Sequence, residues 1–165
     1  MSPDSPASTL AEHRSGGPTE WVQIAAGVVA ATFLLVGVLG FIPGVTTGYD
    51  DLQLASHDSD AHLLGVFQVS VLHNVVHLLF GVVGLVMARS AGAARAYLIG
   101  GGAAYLVLWL YGLLIDKDSA ANFIPVNAAD DWLHLGLGVL MIGLALLLGR
   151  RRRTITFDAP GRAHP

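Results

Sequence analysis

Two short helical patterns set chemically capable side chains at matched positions. His73, Asn74 and His77 fall within one five-residue stretch, and Asp130, Asp131 and His134 within another. The i, i+4 spacing of His73 with His77, and of Asp130 with His134, puts each pair on one helix face. Asn74 sits three residues before His77, and Asp131 three before His134. Neutral imidazoles with a carboxylate suit a divalent metal, Zn or Cu, and a second carboxylate can orient an imidazole. The same groups can instead pair with one another, the usual fate of polar side chains in apolar helices. That structural lock, through an Asp131–His77 or Asn74–His134 hydrogen bond, is the preferred reading, with the metal site as its alternative.

A second cation pattern is HDSDAH, with His57, Asp58, Asp60 and His62 in six residues. A solvated acidic loop accounts for it more simply. Two histidines at equal depth on neighbouring helices also suit a haem, but propionates there would meet several Asp and a single Lys. Haem is therefore disfavoured, and no cofactor is expected beyond the alternative metal. Cys is absent, which removes thiol nucleophiles and thiolate metal sites. No Ser/His/Asp arrangement or HExxH is recognisable, so no enzymatic role is assigned.

These residues need elements to position them. The chain has 165 residues, 53% of them hydrophobic and 13% charged, with a mean hydropathy of +0.60. Soluble domains carry roughly 25% charged residues. Disorder fits this composition poorly, and a net charge of −3 excludes a nucleic-acid partner. Four apolar stretches, at about residues 21–42, 71–88, 96–115 and 128–148, each approach the roughly 20 residues needed to cross a bilayer. The expected fold is all-α: a polytopic membrane protein with a bundle of four transmembrane helices.

Charge orients the bundle. Arg14, Arg89, Arg95, Arg150, Arg151, Arg152, Arg153 and Arg162, eight of the nine basic residues, lie in the tails and the link between the second and third spans. Asp50, Asp51, Asp58, Asp60, Asp116, Asp118, Asp130 and Asp131 lie on the opposite side with Lys117. The positive-inside rule then makes both termini cytoplasmic and the acidic loops external, in a bacterial inner membrane. Arg150, Arg151, Arg152 and Arg153 read as an anchor to anionic headgroups. Residues 1–18 read as a disordered tail, residues 19–149 as the membrane domain and 150–165 as a basic tail. The first span is too long for a cleaved signal core and reads as an uncleaved anchor. Trp21, Tyr97, Tyr111 and Trp132 fall near span ends, where interfacial aromatics belong.

A shift of 57 positions lays FQVSVLHNVVHLLFG (67–81) over IPVNAADDWLHLGLG (124–138) without a gap. Val69 meets Val126, His77 meets His134, Gly81 meets Gly138, Ser70 meets Asn127 and Asn74 meets Asp131. Ser70 and Asn127 are good N-cap residues, so both helices should start just after them. The first and third spans align more weakly, with Ala31 over Ala103 and Gly40 over Gly112. The pattern predicts a duplicated helical hairpin about an axis along the membrane normal. His77 and His134 would then lie at the same depth.

GVFQVSVLHNVVHLLFGVVGL (65–85) and NFIPVNAADDWLHLGLGV (122–139), with GFIPG (40–44), resemble an uncharacterised, mainly actinobacterial family of four-helix membrane proteins catalogued as a domain of unknown function. The resemblance covers roughly the hydrophobic two-thirds of the chain. It departs at Ser70-Val71, where Asn-Pro is expected. It implies a membrane location and four helices, and no established activity.

The half-spans GVVGLVMA and GVLMIGLALLL offer no ionisable group, which argues against a conduit through one subunit. The expected partner is the lipid bilayer. Small-xxx-small pairs, Ala26 with Ala30 and Gly100 with Ala104, also suit a homo-oligomer.

Overall fold

The computed structural model describes residues 18–149. The N-terminal residues before Pro18 and the arginine cluster Arg150, Arg151, Arg152 and Arg153 lie outside the described residues. Four helices carry the chain: α1 (Pro18–Leu39), α2 (Val71–Met87), α3 (Ala91–Leu114) and α4 (Ala128–Leu148). The helix bounds differ from the apolar stretches mainly at α3. It starts at Ala91 because the Ser90 side chain accepts from Ala93 N and caps it there.

α1, α3 and α4 are long and apolar enough to cross a membrane. α2, with 17 residues, is shorter, at roughly 26 Å by its rise. The outer faces are apolar along all four helices: Val28, Leu35, Leu79, Val107, Leu114 and Leu147 are all exposed. Polar side chains of the first span are satisfied within the protein. Gln23 donates to Ala88 O at the end of α2, and Thr32 donates to Val28 O one turn back. An apolar outside over a partly polar inside is the pattern of a membrane protein.

The short link after Met87 makes α2 and α3 antiparallel, so both long connections lie at the opposite end of the bundle, the loop end. α1 packs chiefly on α2 and α3 chiefly on α4, giving two antiparallel hairpins. Small residues permit this. A Cβ on Gly81 would lie 2.8 Å from Ala30 O, and one on Gly138 would lie 3.0 Å from Gly102 O. The Gly100-Gly101-Gly102 run lies within a continuous α3, and Gly101 admits Phe80 and Met141. Away from the loop end, Val22, Ala26, Ala30, Ala94, Leu98 and Met141 fill the seam between the hairpins.

Residues 43–70 form more than a solvated loop. Three two-residue strands, β1 (Thr46–Thr47), β2 (His62–Leu63) and β3 (Phe67–Gln68), pair antiparallel in the order β1-β2-β3. Ala61, Leu63 and Val69 form a small core beneath them against Val36 and Leu39 of α1. Ser59 is buried and donates to Val69 O at 2.6 Å. Strands this short leave no alternating pattern, so the sheet is not visible in the sequence.

Candidate functional site

Both helices that carry the polar patterns begin at capped N-termini, as the sequence predicts. Ser70 Oγ accepts from His73 N at 3.1 Å. Asn127 Oδ1 accepts from Ala129 N and Asp130 N, and Asp130 Oδ2 accepts from Asn127 N at 2.9 Å, closing a capping box. The macrodipole favours both carboxylates in this first turn.

Five of the six polar residues fall into two groups with different chemistry at the loop end, and Asn74 stands apart from both. The carboxylates tie segments together. Asp130 Oδ2 also accepts from Gln68 N at 3.1 Å, and Asn127 Nδ2 donates to Val66 O at 2.8 Å, so the sheet is fastened to the start of α4. Asp131 pairs with Lys117, Nζ to Oδ2 at 2.7 Å, and Lys117 also donates to Gly112 O. The Asp131 side chain is only 6% exposed, so the ion pair is strongly shielded on that side. Lys117 is itself placed by Asn122, a buried amide that donates to Lys117 O and Val126 O and accepts from Val126 N.

The partner of Asp131 is therefore Lys117, and neither an Asp131–His77 nor an Asn74–His134 hydrogen bond forms. Asn74 is buried, with no partner among the described residues for either amide atom. It lies against Gly40, where a Cβ would overlap the amide. Asp131 lies likewise against Gly112.

The imidazoles form the second group. His73 and His77 stack, with centroids 4.4 Å apart and planes 5° from parallel. His77 Nδ1 lies 2.9 Å from His73 O. A carbonyl oxygen only accepts, so Nδ1 carries the proton and Nε2 keeps its lone pair. That nitrogen faces Tyr105 OH at 3.5 Å. Tyr105 also lies against His134, with centroids 5.2 Å apart. The Nδ1 atoms of His73 and His134 have no hydrogen-bond partner among the described residues.

α2 and α4 meet only marginally, and Tyr105 stands between His77 and His134. Tyr105 and Phe33 are the site residues that the motifs do not reveal. The signal for them is the weak alignment of the first and third spans, whose 72-residue offset lays Tyr105 over Phe33.

In residues 57–62 the four side chains form two separate pairs. His57 Nε2 lies 3.2 Å from Asp58 Oδ1, and His62 Nδ1 lies 3.9 Å from Asp60 Oδ1. Both carboxylates are exposed, at 74% and 84% of the side chain. Among the described residues no three His, Asp or Glu side chains are arranged to hold a metal ion. The stacked rings give one reason. Imidazole lone pairs lie in the ring plane, and the planes of His73 and His77 are nearly parallel, so their lone pairs do not converge.

A family model for a domain of unknown function, DUF4383, matches residues 23–147, which include most of α1, nearly all of α4, the whole of α2 and α3, and every residue of the cluster. The chain belongs to this family. The match covers the segments 65–85 and 122–139 on which the resemblance rests. No curated protein and no solved structure matches the chain. Membership in the DUF4383 family thus assigns no activity, and the chemistry has to be read from the site.

Proposed function

We propose that this DUF4383 protein is a multi-pass protein of the bacterial cell membrane with a structural or interaction role, its loop end held together by the polar cluster. The observation that carries this reading is the placement of the carboxylates. Asp130 joins Gln68 of β3 to the start of α4, and Asp131 joins α4 to Lys117. Both sit where they fasten elements, and each would be costly to leave unpaired in an apolar setting. The bilayer is the partner of the exposed apolar faces in this reading, and the charge distribution supports cytoplasmic termini.

The two hairpins are copies of one unit. Contacts that recur at the aligned positions support this. Phe33 lies 5.5 Å from His77 and Tyr105 lies 5.2 Å from His134, centroid to centroid. Gly81 receives Leu34 and Ala30 as Gly138 receives Leu106 and Gly102. Asn74 against Gly40 matches Asp131 against Gly112. Each pair is related by the offsets of 57 and 72 residues that align the spans.

The role of the cluster is tested on protein purified in detergent without a His tag. Asp130→Ala should lower unfolding stability by about 1–3 kcal/mol, with chelator present or absent. Melting that falls with chelator and returns with zinc or copper would turn the cluster into a metal site and end the scaffold reading. Orientation is tested by labelling intact cells. A cysteine at Asp60, whose side chain is exposed, should react from outside, and one at Gly92 should not.

A further inference from the structure

The seam between the hairpins is filled away from the loop end and hollow near it. Two cavities, of about 150 and 210 Å³, share His73, His77, Tyr105 and His134 as lining residues. The smaller lies between α2 and α3, completed by Leu72, Val76, Leu108 and Ile124. The larger lies between α1, the sheet and α4, and includes Val36, Phe67, Asp130 and Leu137. Val76 at the rim of the smaller cavity is 51% exposed on the apolar face of α2, which gives that cavity a side opening toward lipid.

The walls of the smaller cavity are apolar apart from the imidazoles and one phenol, the larger adds the Asp130 carboxylate, and the imidazoles hold spare hydrogen-bonding capacity. His77 is committed through both nitrogens, to His73 O and toward Tyr105 OH. His73 and His134 are 8% and 4% exposed, and among the described residues the Nδ1 of each has no hydrogen-bond partner. Buried polar groups in proteins are nearly always satisfied, so two unpartnered ring nitrogens on residues that line one cavity point to a guest.

The chemistry of the walls selects that guest. Charge of either sign would lose its water against an apolar surface. Lys117 is already paired with Asp131 Oδ2, Asp131 lines neither cavity, and Asp130 already accepts two backbone N–H groups. A metal ion is ill served by the parallel rings of His73 and His77. A hydroxyl both donates and accepts, so it satisfies an imidazole in either tautomer. A cavity of about 150 Å³ holds one six-membered ring, the size at which an apolar protein cavity binds benzene.

We propose that the crevice at the loop end is a binding site for a neutral phenol or ring-sized alcohol, which enters from the lipid beside Val76 and hydrogen-bonds His73 or His134. This site is independent of the scaffold reading, which rests on the carboxylates.

The test is a titration of phenol into full-length protein in nanodiscs, with the histidine rings labelled with ¹⁵N. Phenol should shift the His73 and His134 ring resonances saturably. Toluene, which has the ring without the hydroxyl, should bind at least tenfold more weakly. Val76→Trp, which fills the rim and keeps every imidazole, should abolish the saturable shift at unchanged melting temperature. Ile124→Trp serves the same purpose from the loop if Val76→Trp does not fold. A non-saturating drift would overturn the site, as would a response that survives both rim variants. Toluene binding as tightly as phenol would overturn the hydrogen bond to the imidazoles.

Discussion

Phe33 of α1 and Tyr105 of α3 stack with centroids 5.5 Å apart and planes 10° from parallel, at the centre of the seam between the two hairpins. Each ring then touches the histidine of its own hairpin, His77 or His134. The pair thus joins the packed half of the seam to its polar half. The Tyr105 ring contributes packing, and its hydroxyl contributes a long contact to His77.

Those two contributions separate by substitution. Tyr105→Phe retains the stack and should cost less than about 1 kcal/mol. Tyr105→Ala removes a buried ring and should cost about 3–5 kcal/mol. Reversible unfolding in mixed micelles measures both. Equal losses from the two variants would mean that the stack contributes nothing.

The matched glycines make a sharper test of the hairpin interfaces. Gly81→Ala and Gly138→Ala each press a methyl group into a neighbouring backbone carbonyl, and should each cost about 1–3 kcal/mol. Gly100→Ala and Gly136→Ala point into open space within helices, and should be neutral or gain up to about 1 kcal/mol. Thermal unfolding of the four variants decides the matter. A loss at Gly81 without one at Gly138 would break the equivalence of the hairpins.

Lys117 and Asp131 form a pair whose acid is buried and whose base is about one-third exposed. Removing the base alone strands a carboxylate. Lys117→Met should therefore cost about 1–3 kcal/mol, a value between those of exposed and buried pairs. Asp131→Asn, which installs the residue type found at the matched Asn74, should recover much of that loss when added to Lys117→Met. A double-mutant cycle on unfolding free energy gives the coupling. Additive losses would show that the pair does not contribute.

The architecture was legible in the sequence because lipid leaves few options: long apolar stretches, arginines gathered on one side and N-cap residues at Ser70 and Asn127 point to four helices. The equal distance of the two polar sets from their helix caps was legible too, since their spacing from Ser70 and Asn127 is the same. Their partners were not. Lys117 is distant from Asp131 in sequence, and its approach depends on the turn built around Asn122, which no periodic pattern encodes. The direct meeting of α2 and α4 fails for a similar reason. Glycines let α1 and α3 approach α2 and α4 closely within each hairpin, and the rings of Phe33 and Tyr105 then occupy the centre.

Ser70 and Asn127 occupy matched positions, yet their surroundings predict unequal worth. Ser70 Oγ accepts one backbone N–H, so Ser70→Ala should cost about 1 kcal/mol, the usual value of a cap. Asn127 caps two N–H groups through Oδ1 and fastens Val66 O through Nδ2. Its loss also leaves the Val66 carbonyl without that donor and weakens the box with Asp130, so Asn127→Ala should cost about 2–4 kcal/mol. Hydrogen exchange gives a second, local readout. Asn127→Ala should speed exchange at Gln68 N, whose acceptor Asp130 is held in place by the same box, and Ser70→Ala should leave it unchanged. Equal stability losses with no change at Gln68 would mean that the sheet is not fastened to α4 through this turn.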